Sequence, residues 1–347
     1  MEEPISSKNV VPIPRIKRKA TPLDYDYLNA SGVPAIFENQ ITDWECMHKW
    51  TFEWLKAQYG DKPGGLCTGI PLDLAVPYEL DGPAHLLRGI PFSTVIDTVA
   101  DPAPPCVSYY SAAHLRRLLP DLEADLHLEQ LLPEVYNTPQ DSHINLWIGT
   151  KGTRSGYHYD LAKNIFLQVR GRKRVFLVAP RDSPAMRPIP DSFSKSRVDP
   201  LQSGLSPEYH EKATVYEGVV GPGEVLVIPP LWWHYLIGLD ASISVNIWYD
   251  LRLHLAGMEE QRFTWWQRAC FWGSSAWGFV RAFLGFPREA RLFSAPPGGA
   301  EAGMRARKAL WERKWALLLS LLSVAFLLKY PHTLHSLSSH LSSLIRF

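Results

Sequence analysis

A chain of 347 residues exceeds the usual length of about 100–200 residues per domain, yet barrel-like β folds often run that long as one unit, so one catalytic domain with an appendage is expected. Apolar residues at 46% are ample for a core, and a formal net charge of +1 excludes any global pull toward nucleic acid, which would need a local patch. The four cysteines, Cys46, Cys67, Cys106 and Cys270, form no CxxC pair and no zinc or disulfide spacing, so they read as ordinary thiols of a reducing compartment.

Residues 1–20 lack apolar periodicity and end in the basic run Arg15-Ile-Lys-Arg-Lys19, which predicts a flexible basic arm. The opening MEEPISSKNVVPIP has no apolar stretch or small-residue cleavage site, so a cytoplasmic or nuclear catalytic domain is expected. From residue 23 to 140, short helical stretches at 50–59 and 112–119 are separated by Pro/Gly turns. Between 144 and 249 the pattern changes to short apolar or alternating runs at 144–149, 164–169, 174–179, 224–229, 234–238 and 242–249. Gly, Pro and Asp punctuate them at the spacing of an antiparallel β-sandwich or barrel.

After Asp250 the chain turns helical and aromatic. Trp265, Ala269, Trp272, Ala276, Phe279 and Phe283 fall at near-heptad spacing and give one apolar face. A Pro/Gly/Ala-rich linker follows, and Arg305, Arg307, Lys308, Arg313 and Lys314 then approach 315–328, which is 14 residues without a charge. A bilayer span needs roughly 20 apolar residues. The short run suits a packed or interfacial helix, while the basic approach suits a cytoplasmic membrane face, so membrane contact through 305–330 stands as the alternative to packing. The expected organisation is a basic arm over 1–20, a catalytic domain over 21–252, an aromatic helical extension over 253–294, a linker over 295–304, and a basic then apolar helix over 305–347.

Within Gly156-Tyr-His-Tyr-Asp160, His158 and Asp160 are two residues apart, and a strand would place them on one face. Alone such a pair is weak. A third ligand must come from another strand, and His234 follows Pro222-Gly-Glu-Val-Leu-Val-Ile-Pro-Pro-Leu-Trp-Trp, in which a turn, a strand and a strand break precede the histidine. The separation of 76 residues (234 − 158) is what a double-stranded β-helix needs to bring the two ends together. Two His and one carboxylate leave three coordination positions open, which suits non-haem Fe(II), whereas zinc is more often closed by a fourth ligand.

Trp147-Ile-Gly149, Gly156–Asp160, Asn164-Ile-Phe-Leu-Gln-Val-Arg-Gly-Arg-Lys173-Arg, Pro222–His234 and Ser244-Val-Asn-Ile-Trp248 together resemble the cupin-like JmjC oxygenases, the group of the asparaginyl hydroxylase factor inhibiting HIF. Val33-Pro-Ala-Ile-Phe37 resembles that family's entry strand. The resemblance implies a mainly β fold, a double-stranded β-helix (jelly-roll, cupin) core with an N-terminal α/β flank and C-terminal helices. It implies iron on His158, Asp160 and His234, with 2-oxoglutarate and O₂ as cosubstrates. Lys173 stands where the family binds the distal carboxylate of 2-oxoglutarate, with Tyr109 and Ser155 as hydroxyl donors to the cosubstrate. Asn164 and Asn246 match amides near the iron and the C1 carboxylate, and Phe166 and Trp248 match apolar walls of the pocket.

The activity implied is hydroxylation of a protein side chain, with succinate and CO₂ as co-products and a protein substrate as partner. Oxidation of an RNA base or of an N-methyl group is the same-class alternative, and a non-oxygenase cupin or binding scaffold is the alternative from another class. The resemblance also implies a homodimer through the helices of 253–294.

Overall fold

The computed structural model describes residues 9–17, 32–70, 85–133, 142–160, 162–189, 192–202 and 206–249. The chain divides into two compact units, Met1–Arg262 and Phe263–Phe347, and every described residue belongs to the first. The helical extension and homodimer contact expected over 253–294, the expected linker, and the segment 305–330, for which membrane contact is the alternative to packing, lie outside the described residues. Among the described residues no helix is long and apolar enough to cross a membrane.

In chain order the strands are β1 (Asn9–Pro12), β2 (Arg15–Ile16), β3 (Ala35–Phe37), β4 (Pro63–Ile70), β5 (His85–Pro91), β6 (Val107–His114), β7 (Ser142–Gly149) and β8 (Arg154–His158). They continue as β9 (Lys163–Arg170), β10 (Lys173–Val178), β11 (Pro188–Ile189), β12 (Ser192–Ser196), β13 (Thr214–Val220), β14 (Val225–Ile228), β15 (Trp233–Gly238) and β16 (Ser242–Tyr249). One sheet runs β1-β13-β10-β15-β8-β12-β11 and the other β2-β3-β14-β9-β16-β7-β6-β4-β5. From β7 to β10, and again from β13 to β16, successive strands alternate between the two sheets. That alternation is the jelly-roll core, and the mainly β expectation holds.

Both faces of the nine-stranded sheet are covered, which is why its strands read as nearly continuous apolar runs. Ile165, Leu167, Val245 and Ile247 pack under helices Phe52–Tyr59 and Phe92–Ala100, with Leu55, Phe92, Val95 and Val99 in the same cluster. Phe166 and Leu226 turn the other way and meet Val175, Leu177 and Leu236 of the facing sheet. Each such side chain contributes about 1.5–3 kcal/mol by leaving water.

Three local expectations are corrected. Residues 9–17 are not a flexible arm: β1 pairs parallel with β13, β2 pairs with β3, and Ile13 is buried in the interior cluster. The short Val-Val-Pro-Ile run supplies an edge strand whose Pro residues do not have to donate to a further neighbour. Residues 112–114 are the end of β6, and the helix is confined to Leu115–Leu118, because pairing of Ala113 with Leu146 outweighs helical propensity. β13, absent from the expected runs, pairs with both β1 and β10.

Gly171 carries the chain from β9 in one sheet to β10 in the other at φ +68°, where an added Cβ would run into the Ala241 carbonyl oxygen. Gly171→Ala should therefore cost roughly 2 kcal/mol or more of stability in urea unfolding, from a left-handed conformation and a backbone clash together. A loss below about 0.5 kcal/mol would show that this crossing is free to relax.

Candidate metal centre

β8 and β15 are antiparallel neighbours, with His158 directly opposite His234. Directly opposed residues share a face. The two imidazoles therefore project side by side into the interior, with ring centroids 4.1 Å apart. Asp160 is not on the strand, because β8 ends at His158. The segment beyond stays pinned through main-chain bonds: Tyr159 donates to the Ser194 carbonyl at 2.9 Å and Leu231 donates to the Asp160 carbonyl at 2.8 Å. Asp160 Oδ2 then lies 3.5 Å from His234 Nε2. One ligand atom from each of the three residues falls within 4.8 Å of the others, the only such group of three among the described residues.

The protonation pattern fits a metal. His158 Nδ1 lies 2.7 Å from the Gly156 carbonyl and His234 Nδ1 lies 2.9 Å from the Trp232 carbonyl. A carbonyl only accepts, so each Nδ1 carries the hydrogen and each Nε2 keeps its lone pair. Burial, reinforced by the neighbouring His158, pushes His234 down to about 4, so its ring is neutral at physiological pH. Two imidazoles turned this way with one carboxylate form a donor set for a divalent cation.

Lys173 opens β10 opposite Gly238 of β15, and Leu177 of the same strand stands opposite His234. Because 173 and 177 share a face, the lysine points into the same interior as the three ligands. Its side chain is buried, with Nζ donating to Ser244 Oγ at 2.8 Å and to Tyr109 Oη at 3.3 Å. The Phe166 and Tyr109 rings lie 5.2 and 5.4 Å from Nζ. No carboxylate among the described residues pairs with it, and burial lowers it to about 7. A buried ammonium held by neutral groups alone is costly, and an anionic ligand resolves that cost.

The sequence is similar to a family of known proteins. The cupin-like domain profile matches residues 23–253. Jumonji C domain-containing protein 5 of Drosophila melanogaster is 30% identical over 228 residues, covering 63% of this chain and 55% of that protein. This chain belongs to the JmjC cupin-like oxygenase family. Bifunctional peptidase and (3S)-lysyl hydroxylase JMJD7 of Homo sapiens is 25% identical over 286 residues, 70% of this chain and 85% of that protein. tRNA wybutosine-synthesizing protein 5 of Danio rerio is 27% identical over 222 residues, 59% and 65% of the two. The chain thus spans about half the length of the fly relative. Members of the family generally depend on Fe(II) and 2-oxoglutarate, and the donor set and the unpaired ammonium described above are of the right kind for both.

The remaining expected JmjC residues gather around these two centres. Tyr109 faces Lys173, while Tyr110 turns to the opposite face of the sheet and is buried against Phe92 with ring centroids 5.5 Å apart. A bulge between His234 and Leu236 sets Ser155 opposite Leu236, so Ser155 and His158 share the interior face despite odd spacing. Asn164 Nδ2 donates to Asp160 Oδ2 at 3.1 Å, and Asn246 Nδ2 donates to Asn164 Oδ1 at 3.1 Å. Asn164 therefore contacts the Asp160 carboxylate, and Asn246 reaches it only through Asn164. Phe166 lies against Lys173, and Trp248 stands opposite Asn164 with a buried Nε1–H that has no acceptor among the described residues.

Three residues of the site had no role assigned from sequence. Ser244 accepts from Lys173, while Trp147 and Asn145 donate to Asn246. The signal was available for Ser244, since Ser244, Asn246 and Trp248 alternate on one face of an otherwise apolar strand.

Removing one ligand of three should be felt directly at the metal. Loss of groups that merely orient ligands costs about 10–100-fold in metal affinity, so Asp160→Ala should weaken Co(II) or Fe(II) binding by at least about a hundredfold in calorimetric titration. Equal binding by the variant and the parent would remove Asp160 from the site.

Proposed function

We propose that this chain is an Fe(II)- and 2-oxoglutarate-dependent dioxygenase that hydroxylates a protein side chain and releases succinate and CO₂. The observation that carries this reading is the buried Lys173 ammonium, without a carboxylate among the described residues, on the interior face shared with His158 and His234. A simple metal-binding cupin or scaffold has no need of that cation.

In this reading His158, Asp160 and His234 hold the iron. Lys173 forms a charge-assisted pair with the distal carboxylate of 2-oxoglutarate, with the Tyr109 and Ser155 hydroxyls beside it. Asn164 and Asn246 fix the metal-side carboxylate and present polar edges toward the C1 end of the cosubstrate. Phe166 and Trp248 wall the pocket and keep water from its apolar middle. When bound, iron and 2-oxoglutarate supply the oxidising chemistry, coupling decarboxylation of the cosubstrate to insertion of oxygen into a C–H bond. The protein's share is geometry and exclusion of solvent.

A protein substrate is favoured by the lysyl hydroxylase among the relatives and by the net charge of +1, which offers no general attraction to polyanions. An RNA or N-methyl substrate is the second reading, supported by the wybutosine-synthesizing relative. Anaerobic addition of Fe(II) and 2-oxoglutarate should produce a weak visible charge-transfer band. Product mass spectrometry on candidate proteins and RNAs then assigns the acceptor. Absence of the band and of succinate formation would return the chain to the scaffold class.

Two measurements test the anchor. Lys173→Met should leave metal binding intact and weaken 2-oxoglutarate by roughly 10- to 100-fold, since a charge-assisted hydrogen bond contributes about 1.5–3 kcal/mol. The pH dependence has a definite sign. Lys173 titrates near 7 in the folded protein against an ordinary 10.5, so below pH 7 it is already charged and 2-oxoglutarate affinity is flat. Above 7, binding must take up a proton, and the apparent Kd should rise toward tenfold per pH unit. The ligand-free protein should behave oppositely and gain stability between about 7 and 10.5, where the unfolded chain binds the extra proton. A Kd independent of pH from 6.5 to 9 would remove Lys173 as the anchor.

A further inference from the structure

The hydrogen bonds that end on Asp160 have a direction, and that direction is set two strands away. An indole N–H only donates, so the Asn246 atom that faces Trp147 Nε1 at 2.7 Å is Oδ1. Asn145 Nδ2 donates to the same oxygen at 3.3 Å. With Oδ1 committed twice, Asn246 must offer Nδ2 to Asn164, whose Oδ1 accepts it at 3.1 Å. Asn164 is left with its own Nδ2 toward Asp160 Oδ2, again at 3.1 Å. Inverting either amide would set oxygen against oxygen or N–H against N–H at a junction. Asn145, Asn164 and Asn246 are only 4%, 5% and 2% exposed, so water does not readily substitute for a missing partner.

The strand register builds this relay across the sheet. Asn145 stands opposite Asn246, Trp147 opposite Ser244, and Trp248 opposite Asn164, all on the interior face. Trp147 also reaches the other half of the site. Its ring lies 5.5 Å from that of Tyr109 at 37°, and Tyr109 in turn accepts from Lys173.

We propose that Trp147 is a positioning residue of this site: its indole N–H fixes the polarity of the Asn246–Asn164 relay that orients the Asp160 carboxylate, while its ring backs the Tyr109 side of the Lys173 anchor. The proposal rests on the reading of His158, Asp160 and His234 as metal ligands. In this role Trp147 acts through Asn246 and Tyr109, the two side chains it contacts.

The test uses the full chain freed of metal and Co(II) as the probe, read by calorimetric titration with thermal unfolding alongside. Trp147→Phe keeps an aromatic ring beside Tyr109 and removes the donor, with unfolding read alongside to account for the smaller ring. It should raise the Co(II) dissociation constant roughly 10- to 100-fold, the range for loss of an orienting partner, while the unfolding temperature moves little. Asn246→Leu, which cuts the relay midway and leaves Trp147 in place, should produce a loss of similar size. In the cycle with Asn164→Ala, adding Trp147→Phe should cost nothing further, because the relay is already broken; a side chain that only fills space would add its full effect. Co(II) affinity within twofold of the parent in both Trp147→Phe and Asn246→Leu, or full additivity in the cycle, overturns the relay. Failure of the parent chain itself to bind Co(II) overturns the metal reading, and the role of Trp147 with it.

Discussion

Antiparallel pairing of β8 with β15 at the register His158 opposite His234 is the constraint on which the site depends. A slip of β8 by one residue would turn His158 to the outer face and bring Tyr157 into the interior, while His234 stayed in register with β10. The register is fixed on both flanks. β10 pairs with β15 along its whole length, setting Lys173 opposite Gly238 and Leu177 opposite His234, so the cation and the second histidine cannot shift relative to one another. The strands that carry His158 and His234 and the strand that carries Lys173 are therefore one continuous piece of sheet.

That piece faces a sheet whose inner surface is unusually polar for a core. Asn145, Asn164, Ser244 and Asn246 are all buried between the layers. Each would be destabilising alone, by about 1–3 kcal/mol if left unpaired, but together they satisfy one another and the two charged groups they meet. Asp160 receives its hydrogen bond from Asn164, and Lys173 gives one to Ser244. Opposite charges are thus held at separate positions by neutral dipoles and do not collapse into a salt bridge, which leaves room for a ligand carrying the complementary charges. The cost of this arrangement appears in the lowered affinity of Lys173 for its proton.

Much of this was legible in the sequence, and the parts that were not share a cause. The apolar runs of 164–169, 174–179 and 242–249 became β9, β10 and β16 because a short, nearly continuous apolar run bounded by turn residues marks a strand buried on both faces. His158 and Asp160 could be paired by spacing, but the reach to His234 required the barrel. Lys173 sits in Gly-Arg-Lys-Arg, which composition alone reads as a surface turn, and only the family resemblance marked it. The strands of residues 9–17 were hidden because a short Pro-flanked run has no periodicity of its own and is stabilised wholly by partners such as Thr214–Glu217. Ser155 has the wrong spacing for a shared face until the bulge at 234–236 is known. Trp147 is the clearest case. Its hydrogen bond to Asn246 spans 99 residues of sequence, and no local pattern encodes it.

The aromatic surplus in the composition, with 13 Trp and 14 Tyr, also finds a partial physical reason at this sheet. His158 and His234 are each flanked in sequence by aromatic residues that turn away from the interior face. Tyr157 packs on Tyr235 at 5.4 Å and on Tyr209 at 5.8 Å, with the Tyr157 and Tyr209 hydroxyls 2.9 Å apart. Tyr159 meets Trp233 edge to face at 4.8 Å, and Trp233 Nε1 donates to Ser183 Oγ at 2.9 Å. A ring has two rotatable bonds and a large contact area, so it immobilises backbone at low entropic cost. Imidazoles whose ligand atoms must stay within a few tenths of an ångström of a productive geometry need that rigidity from behind. The inner face of β8 and β15 can therefore carry groups chosen for chemistry, because their outer face and flanks carry the packing.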